Sequence, residues 1–424
     1  MSRRAARWRA LAAAALLLLV LALWMAVAGV GPRDDAGPPP PTVATPEHVQ
    51  RGAYLARAGN CAVCHTARGG AEWAGGRPID TPFGTLYSSN LTPDATGLGG
   101  WSARDFWNAM HHGRSRDGRL LYPAFPYPNY TRVTQADSDA LFAYLKNLAP
   151  VAQDNRPARL RWPYSTQAAL AAWRALYFRA EPHRDDPTRT AEWNRGAYLT
   201  RGLGHCSACH TARDALGGSR DLLDLSGGLI PMQNWYAPSL TAPGEAGLMQ
   251  WEQADIVQLL QSGVARDASV LGPMAEVVLH STQHLSRDDL GAMATYLKAL
   301  EPTPERRAAP APVPRERAER GARLYADHCV ACHGAAGQGV PGAYPALAGN
   351  RAVTMDVTAN LVQVVLMGGY PPATAGNPRP FGMPPYATVL SDAEIAAVLS
   401  HVRSAWGNGA APVTELDVLR HRGR

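Results

Sequence analysis

Apolar residues along this chain come in two styles: one unbroken run near the start, then short stretches at helical spacing that recur. The run "ALAAAALLLLVLALWMAVAGV", residues 10–30, carries no charge. Its length matches the roughly 20 residues that cross a bilayer as a helix. Arg3, Arg4, Arg7 and Arg9 stand before it, and Asp34 and Asp35 after it. That order keeps the N-terminus in the cytoplasm and places the bulk of the chain outside. Ala26-Val27-Ala28 also reads as a small-residue cleavage site, so residues 1–31 serve as a membrane anchor or as a signal peptide. The length of the run favours the anchor.

After residue 45 the pattern is helical and it repeats. "RGAYLARAGN" (51–60), "RGAYLTRGLG" (195–204) and "RGARLYADH" (320–328) each set two large side chains on one side of a helix. The pairs are Tyr54 with Leu55, Tyr198 with Leu199, and Leu324 with Tyr325. Further on, "YSSNLTPDATGLGGWSARDFWNAM" (87–110) resembles "YAPSLTAPGEAGLMQWEQADIVQLL" (236–260). Three similar helices close the repeats: "DSDALFAYLKNL" (137–148), "RDDLGAMATYLKAL" (287–300) and "SDAEIAAVLSHVRSAW" (391–406). Self-similarity of this kind means tandem domains. No strand-like alternation recurs, so the fold class expected is all-α.

Proline-rich stretches cut the chain between the repeats. The expected division is an anchor or signal at 1–31, a stiff spacer at 32–47, and a first domain at 48–150. An inter-domain segment follows at 151–190 and a second domain at 191–301. A second linker at 302–315 leads to a third domain at 316–407 and a tail at 408–424. Within the inter-domain segment, "YSTQAALAAWRALYFR" (164–179) predicts a helix starting from a Ser165 cap. Trp162, Trp173, Tyr177 and Phe178 are expected to pack against a haem domain, with a partner or membrane contact as the alternative.

Composition narrows the function. With 18% charged and 46% apolar residues in 424, the chain is no disordered polyelectrolyte. A net charge of +6 comes from scattered arginines with no basic run interleaved with aromatics, so no nucleic-acid groove is expected. Six cysteines in an exported chain would ordinarily form three disulfides. Their spacing points elsewhere. They stand in "CAVCH" (61–65), "CSACH" (206–210) and "CVACH" (329–333), the C-x-x-C-H attachment signature of c-type haem. Two thiols three positions apart lie on one side of a helical turn and can both add to the vinyl groups of a porphyrin. The adjacent histidine then reaches the iron as proximal ligand. The expected attachment residues are Cys61, Cys64 and His65, then Cys206, Cys209 and His210, then Cys329, Cys332 and His333. The chain therefore reads as three tandem class-I-like cytochrome c domains holding three covalent haem c groups.

These features give the chain a family likeness. Over about residues 48–406 it resembles the membrane-bound triheme cytochrome c subunits of bacterial periplasmic dehydrogenases. The most specific pieces are "FGTLYSSNLTPD" (83–94), "AEWNRGAYL" (191–199), "GPMAEVVLHSTQHLS" (272–286), "GAYPALAGNRAVTM" (342–355) and "NPRPFGMPPYATVLSDAEI" (377–395). The resemblance implies an electron-transfer subunit, not itself an enzyme, on the periplasmic side of the inner membrane. Its expected partners are a catalytic dehydrogenase subunit (quinoprotein, flavoprotein or molybdenum hydroxylase), the cytoplasmic membrane, and ubiquinone or another acceptor. Two readings compete: a cytochrome subunit of a terminal oxidase, and a self-contained haem enzyme with an open first haem.

The resemblance also places distal ligands. Met383 in "FGMPPY" and Met274 in "GPMAEV" match the family's ligand positions, each in a proline-flanked loop. In the first domain the same register falls on Phe125 of "LYPAFPY" (121–127), where many relatives carry methionine. "YPAFPY" is the commoner form in subunits accompanying molybdenum hydroxylases. A phenyl ring cannot ligate iron, so the sixth ligand of the first haem is left to Met110, His111, His112 or nothing. Repeat alignment sets Met110 opposite Leu366 or Met367. The other histidines (His48, His183, His205, His280, His284, His328, His401 and His421) read as structural or surface residues. One outcome follows from the motifs alone. Protein matured in its native export pathway and then denatured should give a c-type pyridine haemochrome with three equivalents of iron, and two or fewer would contradict the repeat.

Overall fold

The computed structural model describes residues 45–219, 221, 224–266, 268–303 and 312–422, together with residues 8, 11–17 and 20. Most of the apolar run 10–30, the spacer 32–44 and the linker core 304–311 lie outside the described residues. Among the described residues no helix is long and apolar enough to cross a membrane. The chain divides into two units: Met1–Leu55 with Cys64–Arg184 and Asp214–Arg220, and Ala56–Val63 with Asp185–Arg213 and Asp221–Arg424.

In each repeat an opening helix crosses a closing helix. The pairs are Pro46–Ala58 with Gln135–Lys146, Ala191–Arg201 with Arg287–Lys298, and Arg315–His328 with Asp392–Ser404. The recurring Arg-Gly dipeptide explains the crossing. A Cβ on Gly52 would collide with the Ala140 carbonyl oxygen, one on Gly196 with that of Ala292, and one on Gly321 with that of Ala397. Only glycine lets the two backbones approach so closely. The preceding arginine then reaches an acid in the first turn of the closing helix. Arg51 Nε donates to Asp137 Oδ1 at 2.7 Å, Arg195 grips both oxygens of Asp289 at 2.8 Å, and Arg320 Nη2 meets Glu394 Oε1 at 3.0 Å. Each acid sits three residues after a hydroxyl N-cap: Thr134, Ser286 and Ser391. One residue thus serves helix start and helix crossing at once. At Glu394, the Ser391 backbone amide and hydroxyl, with Arg320, hold the carboxyl down to about 2.

The core of the last repeat gathers Tyr325, Val353, Val362, Leu366, Ile395 and Val402, all buried. The helix Glu415–Arg422 joins it through the fully buried Val418. Arg403, 1% exposed, spends its charge on backbone carbonyls, among them Ala411 at 2.6 Å and Met355 at 2.8 Å.

The architecture is largely helical but not all-α. The first unit holds a three-stranded antiparallel sheet, Pro78–Thr81, Gly84–Tyr87 and Arg159–Leu160. The second holds the ribbons Gly228–Ile230 with Trp235–Ala237, and Val264–Ala265 with Ala268–Ser269. Strands of two to four residues are too short for a period-two pattern to show, and turns rather than side-chain alternation create them.

The inter-domain helix runs Gln167–Tyr177 and is capped by Thr166, whose hydroxyl accepts from Ala169 N at 3.2 Å; Ser165 is not the cap. Leu170 and Ala171 bury against Leu120. Trp173 Nε1 donates to the Leu216 carbonyl at 3.0 Å, Tyr177 donates to Asp214 at 2.7 Å, and Phe178 stacks edge-on against Tyr127. Trp162 departs from the expectation, since 82% of it faces solvent.

The helix crossing generates a prediction. Gly196→Ala gains about 1 kcal/mol of helix propensity yet must push two helices apart. The net expectation is a loss of about 1–3 kcal/mol in denaturant unfolding of the haem-loaded protein. An unchanged or stabilised variant would contradict the crossing.

Candidate haem sites

The three C-x-x-C-H peptides fold as single turns of helix: Cys61–His65, Ser207–His210 after Cys206, and Val330–His333 after Cys329. None of these six cysteines is joined in a disulfide. Burial and the neighbouring thiol Cys209 push Cys206 up to about 12, and burial with Cys332 pushes Cys329 to about 11.

Each peptide is latched at its end in the same way. The backbone carbonyl of the histidine accepts from a glycine amide at 2.8 Å: His65 from Gly75, His210 from Gly227, His333 from Gly339. All three glycines have left-handed φ, between +64° and +86°. A Cβ on any of them would strike the loop alongside, at Ser89, at Ser239 or between Tyr344 and Ala346. That same loop supplies a carbonyl to the imidazole. His65 Nδ1 lies 2.7 Å from Ser89 O, His210 Nδ1 2.7 Å from Pro238 O, and His333 Nδ1 3.0 Å from Pro345 O. A carbonyl can only accept, so Nδ1 carries the proton and Nε2 is left as a lone pair. Burial pushes all three imidazoles below their ordinary pKa, toward the neutral form that ligates metal.

On the distal side Met274 lies in the first turn of the helix Pro273–His280 rather than in a loop, because Pro273 starts a helix at its first position. Met383 lies in an extended segment bridged to Gly369, with amides and carbonyls exchanged at 2.8 and 3.0 Å. Both methionines, together with Cys206, Cys209, His210, Cys329, Cys332 and His333, line one continuous cavity of 1420 Å³ in the second unit. Paired cysteines, imidazoles with an open Nε2, two thioethers and a large apolar hollow make up a donor set that fits covalent haem.

The first site departs from this plan. Phe125 is half-buried in a turn closed by its amide on Tyr122 O at 3.0 Å, its ring 5.3 Å from that of Tyr130. Met110 is 4% exposed on the helix Ala103–His112. The helix ends in Gly113 as the corresponding helices end in Gly263 and Gly368. That register pairs Met110 with Leu260 and Val365, in place of Leu366 or Met367. Leu260 and Val365 both line the cavity of the second unit. His111 is stacked on Trp107 at 4.3 Å, and burial with His112 pushes it down to about 4.

The carbonyl donors and the glycine latches escaped the sequence reading although the repeat shows them. Ser89-Asn90-Leu91-Thr92 aligns with Pro238-Ser239-Leu240-Thr241, and Pro345 also stands two residues before a leucine, Leu347.

A fold of helix crossings that carries three haem-attachment peptides, each with its histidine turned by a backbone carbonyl, defines a c-type cytochrome built as a tandem array. Comparison with known proteins agrees: the cytochrome c family model matches residues 49–149, 195–301 and 318–406. The chain belongs to the cytochrome c family and carries three covalent haem c groups. It is 40% identical to the gluconate 2-dehydrogenase cytochrome c subunit of Pantoea cypripedii, over 88% of this chain and 89% of that one. It is also 40% identical to the cytochrome c subunit of the quinone alcohol dehydrogenase of Gluconacetobacter polyoxogenes, over 88% and 84%. A longer polypeptide, one of the components of nicotinate dehydrogenase in Pseudomonas putida, shares 40% identity over 84% of this chain, which spans 30% of that polypeptide.

The first site yields a test. Wild-type ferric protein should show the near-infrared band of methionine–iron ligation at an intensity of two haems. Phe125→Met should raise it to three. A wild-type spectrum already at three would make Met110 the ligand and contradict a first haem without methionine.

Proposed function

We propose that the chain is the electron-transfer subunit of a periplasmic dehydrogenase complex, taking electrons from a catalytic subunit and passing them to ubiquinone in the cytoplasmic membrane or to a terminal acceptor. The observation that carries this reading is the threefold repetition of one histidine setting, joined in the second unit to two thioethers around a single hollow. The relatives named for alcohol, gluconate and nicotinate dehydrogenases support a dehydrogenase as partner, whether quinoprotein, flavoprotein or molybdenum hydroxylase. The apolar run 10–30 supports attachment to the inner membrane with the haem domains (48–150, 191–301 and 316–407) on the periplasmic side.

Bound haem supplies one-electron chemistry at iron. The protein's part is to hold the group and set its energy. Cys61 and Cys64, Cys206 and Cys209, and Cys329 and Cys332 attach the porphyrins. His65, His210 and His333 present Nε2 to iron, each turned by its backbone carbonyl. Met274 and Met383 offer thioethers, which favour the reduced state and raise the potential. Phe125 offers no donor, so the first haem lacks a methionine from its loop and sits at the lowest potential of the three or is the most open to ligands. Its ring covers that face against bulk water.

The reading is tested with the purified full-length chain and with a form beginning at Pro38. Alone, the full chain should neither reduce peroxide nor oxidise alcohols or aldehydes. With its dehydrogenase in membrane vesicles it should reduce a ubiquinone analogue. The truncated form should be soluble and redox-active but should lose quinone reduction. Peroxide turnover by the chain alone would overturn the carrier reading, and undiminished quinone reduction after truncation would overturn the role of the anchor.

A further inference from the structure

The cavity of the second unit is too large for one group. A single-ligand pocket occupies roughly 300–1,000 Å³, whereas this hollow measures 1420 Å³ and is lined by two complete attachment peptides. Its lining takes in Cys206, Cys209 and His210 of one site and Cys329, Cys332 and His333 of the other. Hydrogen bonds join the two repeats directly. Arg351 Nη1 donates to Gly247 O at 3.1 Å, and Thr374 Oγ1 donates to Ser262 O at 3.0 Å.

One contact in this seam bears on a haem ligand. The Asn360 amide pairs with Tyr236 as a neighbouring strand would. Tyr236 N donates to Asn360 Oδ1 at 2.8 Å, and Asn360 Nδ2 donates to Tyr236 O at 2.7 Å. Tyr236 lies on the strand Trp235–Ala237, which runs directly into Pro238, the residue whose carbonyl orients His210. Asn360 itself sits on the helix Ala359–Met367, whose Val365 lines the same hollow. A side chain of the third repeat therefore fixes the backbone that sets the imidazole of the second. Leucine could fill the space of Asn360 but would leave both Tyr236 backbone groups without that partner.

We propose that the second and third haems form one electronically coupled pair in this shared hollow, with Asn360 as the positioning residue that holds the second attachment site against the third repeat. The proposal rests on the carrier reading and adds which haems exchange electrons directly. It predicts strong coupling within this pair, to which the first haem is not needed.

The test uses full-length, haem-loaded protein and circular dichroism in the Soret region, where two closely packed haems give a bisignate couplet and isolated ones do not. Wild type should show the couplet. Replacing Cys61 and Cys64 by alanine, which removes the first haem, should keep it. Replacing Cys206 and Cys209 should abolish it. Asn360→Leu should retain three equivalents of haem yet lose most of the couplet, and Asn360→Gln, which keeps an amide, should restore part of it. A wild type with three haems and no couplet overturns the pair, as does a couplet lost with the first haem or surviving loss of the second. A full couplet in Asn360→Leu overturns the positioning role. Fewer than three haems in wild type would instead overturn the carrier reading beneath it. Should Asn360→Leu fail to fold, the wild type and the cysteine variants still decide the pair.

Discussion

Each haem peptide in this chain depends on one backbone constraint: a left-handed glycine lying flat against the loop that supplies a carbonyl to the imidazole. Gly75, Gly227 and Gly339 each donate to the histidine carbonyl from such a position, and none has room for a Cβ. The contact closes the peptide onto its loop, which puts Ser89, Pro238 or Pro345 within reach of Nδ1. From that hydrogen bond follow the tautomer, the free Nε2 and the direction in which the ring can meet iron. The thiols add attachment but not this orientation. A second glycine in each repeat, Gly52, Gly196 or Gly321, lets the opening and closing helices approach closely.

Much of this was legible in the sequence because the repeat states it three times. Three C-x-x-C-H pentapeptides, three Arg-Gly openings and three closing helices fixed the tandem organisation and the helical character before any coordinates. What stayed hidden has physical reasons. The strands of two to four residues are products of turns and leave no periodic trace. The carbonyl donors are backbone atoms, so their residue types, one serine and two prolines, carry no chemical label. Met274 read as a loop residue because the proline before it signals a break, although proline also starts helices. Met110 was set one or two positions out of register because only the helix-ending glycines Gly113, Gly263 and Gly368 fix the alignment.

The same comparison separates the first site from the other two. Met274 and Met383 reach a common hollow from different local structures, a helix start and an extended bridge. A thioether is thus compatible with more than one backbone. Phe125 occupies a tight turn packed on Tyr130, with no sulfur in its place. On the ligation proposed above, with thioethers at two haems and none at the first, the relay has a built-in energetic asymmetry, and this orders the direction in which electrons settle. The asymmetry comes from single side chains on otherwise equivalent scaffolds, the kind of tuning by axial ligand that haem proteins use most.

The measurement that bears most directly on this account is a potentiometric titration of the intact protein followed at the haem absorption bands. The account predicts three one-electron steps. Two lie at higher potential and influence one another, so that independent Nernst curves do not fit them, and one lies apart at lower potential. Three independent and equal steps would contradict both the shared hollow and the distinct first haem.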